Sequence, residues 1–382
     1  MNTRKRAFLL LLTIIIMAPL LVGCALHTQA REVEQLLIVQ TMGLDRSGGM
    51  SVSLASGASL SADGKPVRLL GRGASITQAL AQIRAGASEE DLFCSHLGHL
   101  LIGEAAARHG LAPILDYVCR AGELRLSVPV YVLRDETASA AVLGVGDDSF
   151  GVCDALDAVD GELRQRGDGH VTEASGLLRQ LYDNGSALVC AVSLSPSAEA
   201  AATESAPQTP QTLTASGYGV LQGERLIGWL DRDQAVGVGL LTGRSGLCEL
   251  IVNDQAGLPV TLCLTDGRTR LHPHWTRDGG LSALELVVEA QALLAEDTDG
   301  ATAPYYLQQA LERSLSERVR EVLQLSKQWR CDFLGLERRL RAQEPQRMQA
   351  MSPSFSDRWP TLPLIISVEA TLSGTGDVEG GQ

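Results

Sequence analysis

The sequence predicts an α+β, multi-domain protein with mixed and antiparallel sheets flanked by helices, and a long amphipathic helix in the C-terminal half. Three observations carry that expectation. Short runs of β-branched and large apolar residues closed by Gly, Asp or Ser recur, as in Leu36–Asp45 before Ser47-Gly48-Gly49. Between them stand stretches whose apolar residues fall three or four apart, such as Ile76, Leu80 and Ile83. The chain of 382 residues is also longer than one core usually organises, so two or three domains are expected.

Taken in order, Leu36–Asp45 and Met50–Ala55 form a hairpin. Ser75 N-caps a helix that stops at Gly86. His96–Gly103 reads as a buried strand, followed by helices over Glu104–His109 and Ala112–Cys119. Ser127–Leu133 is the next strand, with Pro129 pointing to an edge or bulge. Thr172 opens a helix carrying Leu177, Leu178 and Leu181, and Ala187–Leu194 closes the first half. Residues 195–212 hold three prolines and no large apolar side chain, so they cannot bury surface and read as a flexible linker.

Beyond it, Thr214–Leu221 and Arg225–Leu230 flank Gln222-Gly223-Glu224 as a hairpin, and Asp231 caps a helix through Leu241. Strands follow over Leu247–Asn253, Val260–Leu264, Arg270–Trp275 and Leu281–Gln291, with turns at Asp254–Gly257, Asp266-Gly267 and Asp278–Gly280. Pro304–Trp329 is the long helix, its stripe running through Leu307, Leu311, Leu315, Val319 and Val322. A shorter helix over Phe333–Ala342 and a strand over Leu362–Leu372 complete the chain. The expected division is a signal peptide at 1–23, an N-terminal α+β domain at 24–194, the linker, a C-terminal α+β domain at 213–373 and a tail at 374–382.

The first 24 residues carry the most specific signal. Arg4, Lys5 and Arg6 precede an apolar run over Ala7–Leu20, shorter than the roughly 20 apolar residues a spanning helix needs. It closes on Leu21-Val22-Gly23-Cys24, which resembles the lipobox of bacterial lipoproteins. In such proteins the leader is cut before the cysteine and its thiol is acylated, so Cys24 is the expected lipidation site. Each buried methylene contributes about 0.8 kcal/mol, and two chains anchor where one is marginal.

From Cys24 onward the chain carries 29 Lys and Arg against 45 Asp and Glu, a net charge of −16. That lacks the electrostatic footprint of a nucleic-acid binder. Eight cysteines without a Cys-x-x-Cys pair indicate neither a zinc cluster nor a redox motif, and mostly free thiols are expected. Cys94, His96 and His99 are the best metal candidates in sequence, but on a strand His96 and His99 face opposite ways, and structural histidines are the expectation. His272 and His274 share a strand face with no acidic neighbour. No nucleophile elbow, phosphate loop or zinc-protease helix occurs, so the reading is of a non-catalytic protein without metal or cofactor.

The ordered stretches resemble the Ger(x)C family, the lipoprotein C subunits of spore germinant receptors. Arg31–Glu34 with Val39–Asp45 looks like the family's start, and Ser95–Glu104 with Ala107–Leu111 and Glu123–Arg125 is similar to its central signature. Gly217–Val220, Arg225–Leu230 and Gly237–Gly243 resemble the opening of its C-terminal domain; Asp332–Leu336, Pro345, Trp359 and Gly374–Gly376 resemble its close. The family usually has an aromatic-acidic pair directly after the lipidated cysteine, where this chain has Ala25–Ala30. The resemblance implies a protein of packed α and β domains on the outer face of the inner spore membrane. Its partners would be the integral-membrane A and B subunits that sense nutrients, its membrane contact the lipid on Cys24. The alternative class is an extracytoplasmic solute-binding lipoprotein, for which 4% aromatic residues is sparse.

Overall fold

The structure, a computed structural model, describes residues 36–56, 67–86, 91–146, 151–167, 169–196, 211–297 and 303–375. Cys24, the leader and most of the 195–212 stretch lie outside the described residues. Two sheets organise the fold. The larger has ten strands, eight of them in the order β10-β9-β8-β6-β5-β1-β2-β3. Its centre is parallel: β1 (Leu36–Arg46), β5 (His99–Gly103), β6 (Pro129–Leu133) and β8 (Ser186–Pro196). Antiparallel strands flank it, β2 (Met50–Ser56) and β3 (Arg68–Gly73) on one side, β9 (Gln211–Gln222) and β10 (Arg225–Leu230) on the other. Short β4 (Asp91–Phe93) pairs with β1, and β7 (Thr172–Glu173) with β6.

A parallel centre must be covered on both faces. One face carries α1 (Ile76–Gly86), α2 (Glu104–His109), α3 (Ala112–Arg120) and α6 (Ala174–Asn184) over a core of Met42, Leu44, Leu80, Leu100, Ile102 and Ile114. The other carries α4 (Ala138–Gly144) and α5 (Val152–Arg166) over Leu101, Tyr131, Leu133 and Val192. On β3, Gly71 and Gly73 let α1 lie directly against the strand, since a Cβ at Gly71 would come within 2.3 Å of the Ala79 carbonyl oxygen.

The second sheet runs β11 (Cys248–Asn253), β12 (Pro259–Trp275), β13 (Leu281–Asp297) and β14 (Leu364–Thr375). Its inner face packs against α8 (Pro304–Gln328) and α7 (Arg232–Thr242). The α7 cap is the expected one: Asp231 Oδ1 accepts from Gln234 N at 2.9 Å, and Gln234 Oε1 accepts from Asp231 N at 3.0 Å. Helices α9 (Leu336–Gln343), α10 (Pro345–Ala350) and α11 (Phe355–Arg358) return the chain to β14. Trp359, 1% exposed, stacks on Phe355 and donates to Ser326 Oγ at 3.0 Å.

Two differences from the sequence reading have physical reasons. Asp266-Gly267, read as a turn, lies inside β12, where Gly267 serves close packing: a Cβ there would stand 2.4 Å from Leu240 Cδ2. The expected linker joins two paired strands, with Ser195 and Pro196 ending β8 and Gln211 and Thr212 beginning β9. The larger sheet therefore runs across the expected boundary, because low apolar content marks a connection but does not reveal that its flanks pair.

The two halves also meet at His170. Its backbone N donates to Tyr218 Oη at 2.8 Å, its Nδ1 lies 2.8 Å from the same oxygen, and the Arg244 guanidinium contacts Nε2. Arg244 can only donate, so Nε2 must accept and the ring must be neutral. Burial, with Arg244 adding, lowers His170 to about 4. A histidine depressed in the folded state stabilises fully above its unfolded value near 6.5 and loses that contribution as pH falls toward 4. Urea unfolding between pH 7 and pH 4 is therefore expected to show about 2–3 kcal/mol more loss in the wild type than in His170→Gln. Parallel pH profiles for the two proteins would contradict this account.

Candidate functional site

Val39–Asp45 and the central signature Ser95–Glu104 become neighbours. Parallel pairing of β1 and β5 sets Thr41 opposite His99 and Leu44 opposite Ile102. Strand alternation sends Met42, Leu44, Leu100 and Ile102 into one core and Thr41, Gly43, Asp45, Leu101 and Gly103 to the other face. There α4 packs so closely that a Cβ on Gly43 would lie 2.9 Å from Val142 Cγ2, and one on Gly103 only 2.0 Å from Asp45 Oδ1.

Asp45 is 7% exposed, and its carboxylate accepts from Ala138 N at 2.7 Å and Ser139 N at 2.8 Å. It thereby satisfies the first amides of α4 from another strand, where negative charge is favoured. Glu104 secures the next loop, accepting from Asp135 N at 2.7 Å and from Arg108 Nε at 2.6 Å. Burial alone would raise the Glu104 carboxyl, but these hydrogen bonds outweigh it and hold it below its ordinary value.

Just past Asp45 the chain opens onto a cleft of about 950 Å³, between the β1–β2 turn, the start of α1 and the side of α3. Gly48 makes the turn with φ +71, and the start of α1 is capped by Ser75 Oγ, which accepts from Gln78 N, while Gln78 Oε1 accepts from Ala74 N. Five charged side chains line the cleft, Arg46, Arg84, Arg120, Asp116 and Glu123, with Arg120 Nε 2.7 Å from Asp116 Oδ1 on the same helix. Tyr117 is the one Phe, Tyr or Trp on the wall among the described residues. Such a surface suits a charged polypeptide segment better than an apolar small molecule. Cys94 is buried nearby; burial, with Glu123 adding and Arg84 opposing, raises its thiol to about 11, so it is not a reactive thiolate.

The sequence-level metal candidates are not brought together. Cys94 belongs to one core, His96 sits in a turn with its ring 5.6 Å from Phe93, and His99 lies on the opposite face of the sheet. His99 instead meets Asp157 and Cys153 of α5, a grouping hidden from sequence because it joins segments more than fifty residues apart. His274 has the acidic partner its own strand lacks, since Nε2 lies 3.0 Å from Glu285 Oε2 on β13. No disulfide joins the described cysteines, and no helix among the described residues is long and apolar enough to cross a membrane.

Comparison with known proteins places this architecture. Residues 29–142 match the family model described as the spore germination protein N-terminal domain, and residues 216–376 match the one described as spore germination B3/GerAC like, C-terminal. Among solved structures, the crystal structure of the GerBC protein is similar with a TM-score of 0.55 and 16% identity. The likeness covers 87% of this chain and 97% of that one, and at this identity it speaks to the fold. No curated protein sequence matches.

The buttress under α4 yields a stability prediction. Asp45→Ala strips two amides of their acceptor, and its unfolding free energy in urea is expected to fall by about 1–3 kcal/mol, with Asp45→Asn losing less. Gly103→Ala should destabilise comparably by displacing the carboxylate, about 1–3 kcal/mol. Wild-type stability in all three would show that the contact carries no load.

Proposed function

The chain belongs to the GerAC-like family of spore germination proteins, and from that premise we propose that it is the lipid-anchored subunit of a spore germinant receptor. In this reading it acts by docking on integral-membrane A and B subunits on the extracytoplasmic face of the inner spore membrane, without catalysis of its own. The observation that carries it is the ordered match of both halves, 29–142 and 216–376, to the two domain models of one germination family.

The leader and Cys24 supply the location. A diacylated Cys24 confines the body to the membrane plane and raises its effective concentration near membrane partners. Residues 25–35 between Cys24 and β1 reach at most about 40 Å when fully extended, so the folded body stays within one domain diameter of the bilayer. The acidic body has little attraction of its own for anionic lipid, which leaves the acyl chains to hold it.

Fractionated spores provide the test. The wild type is expected in the membrane fraction and to co-purify with two integral-membrane proteins, whereas Cys24→Ala should move to the soluble fraction and slow nutrient-triggered germination. Mass spectrometry should find the mature N-terminus at an acylated Cys24. Unchanged membrane association of Cys24→Ala would remove the anchor from the proposal, and a wild type that purifies without membrane partners would remove the receptor role.

A further inference from the structure

We propose that His99, Cys153 and Asp157 form a binding site for a divalent transition-metal ion, best suited to zinc, between β5 and α5. Cys153 and Asp157 are four residues apart on α5 and so share one helix face, which looks onto the strand that carries His99. One ligand atom from each of the three lies within 4.8 Å of the other two, and His99 Nε2 is 3.2 Å from Asp157 Oδ1. Imidazole nitrogen, thiolate sulfur and carboxylate oxygen are the donor set zinc accepts, and three protein donors leave a fourth position for water.

A His99–Asp157 ion pair alone explains less. It leaves Tyr131 Oη buried without a hydrogen-bond partner beside the pair. The His99 side chain is 5% exposed and Thr41 is fully buried, and an unsatisfied buried polar group costs about 1–3 kcal/mol. Polar groups gather here: Thr41 is the register partner of His99, and the Tyr131 ring lies 5.7 Å from the His99 ring. A hydrated cation gives this polar pocket inside an apolar layer something to hold.

Protonation and charge agree with that role. A neutral imidazole has a lone pair to offer, and His99 Nε2 is turned toward Asp157. Cys153, buried on the inner side of α5, brings its thiol. On binding, the S–H proton leaves to solvent as the sulfur–metal bond forms, with no change of oxidation state. Thiolate and carboxylate together then neutralise the divalent charge. Asp157, whose side chain is 71% exposed, supplies the way in.

The test uses the full-length chain, purified without a histidine tag, stripped with a chelator and titrated with Co²⁺ and Zn²⁺. The expected result is one equivalent of Co²⁺ bound with a thiolate-to-cobalt charge-transfer band, displaced by Zn²⁺. Cys153→Ala should abolish the band while Cys94→Ala keeps it. Asp157→Asn, a change at an exposed side chain that leaves the fold intact, should weaken binding by about tenfold or more and remove the rise in Tm that Zn²⁺ gives the wild type. Folded wild type that takes up no cobalt, a band that survives Cys153→Ala, or affinity unchanged in Asp157→Asn would each overturn the site.

Discussion

The fold depends on the pairing of β8 with β9. Their register runs from Ser186 opposite Gln222 to Pro196 opposite Gln211, and it joins strands from both halves of the chain in one sheet. Along its length β9 serves three cores: Leu213 and Ala215 enter the one under α4 and α5, Tyr218 and Val220 the layer shared with α7 and α8, and Leu221 the core under α3 and α6. Gly217, with φ +100, lets the strand bend against β10, since a Cβ there would sit 2.0 Å from the Leu230 carbonyl oxygen. The two sheets therefore share apolar side chains instead of meeting through a hinge, and a change in β9 reaches both.

The pair of β1 with β5 has the character of a buttress. Gly43 and Gly103 carry no side chain because α4 and Asp45 occupy that space, and Asp45 is acidic because amides of α4 converge on it. Those residue types answer to packing and to helix-end electrostatics. The cleft beside them owes its shape to this rigidity, since Arg46 directly follows Asp45 and Met50 begins the returning strand.

Much of this was legible in the sequence. The α8 stripe, the Gly223 and Gly279 hairpins, the Asp231 cap and the paired helices after β5 follow from periodicity and turn chemistry acting locally. The segment after β6 was harder to read. Val152, Leu156, Val159 and Leu163 do repeat at helical spacing, but Asp and Gly residues between them obscure α5, and α4 is too short for a period to emerge. β3 escaped notice because its glycines, which admit α1, look like loop. The His99–Cys153–Asp157 group was beyond reach for another reason: it exists only once a strand and a helix distant in sequence are packed, and nothing local announces that pairing.

Topology also separates the two ends of the molecule. On the anchored reading, the tether joins at Leu36, and β1 then runs eleven residues, roughly 35 Å, before delivering Arg46 to the cleft. The ends of the parallel strands thus have different neighbours, with the tether at one and the cleft at the other.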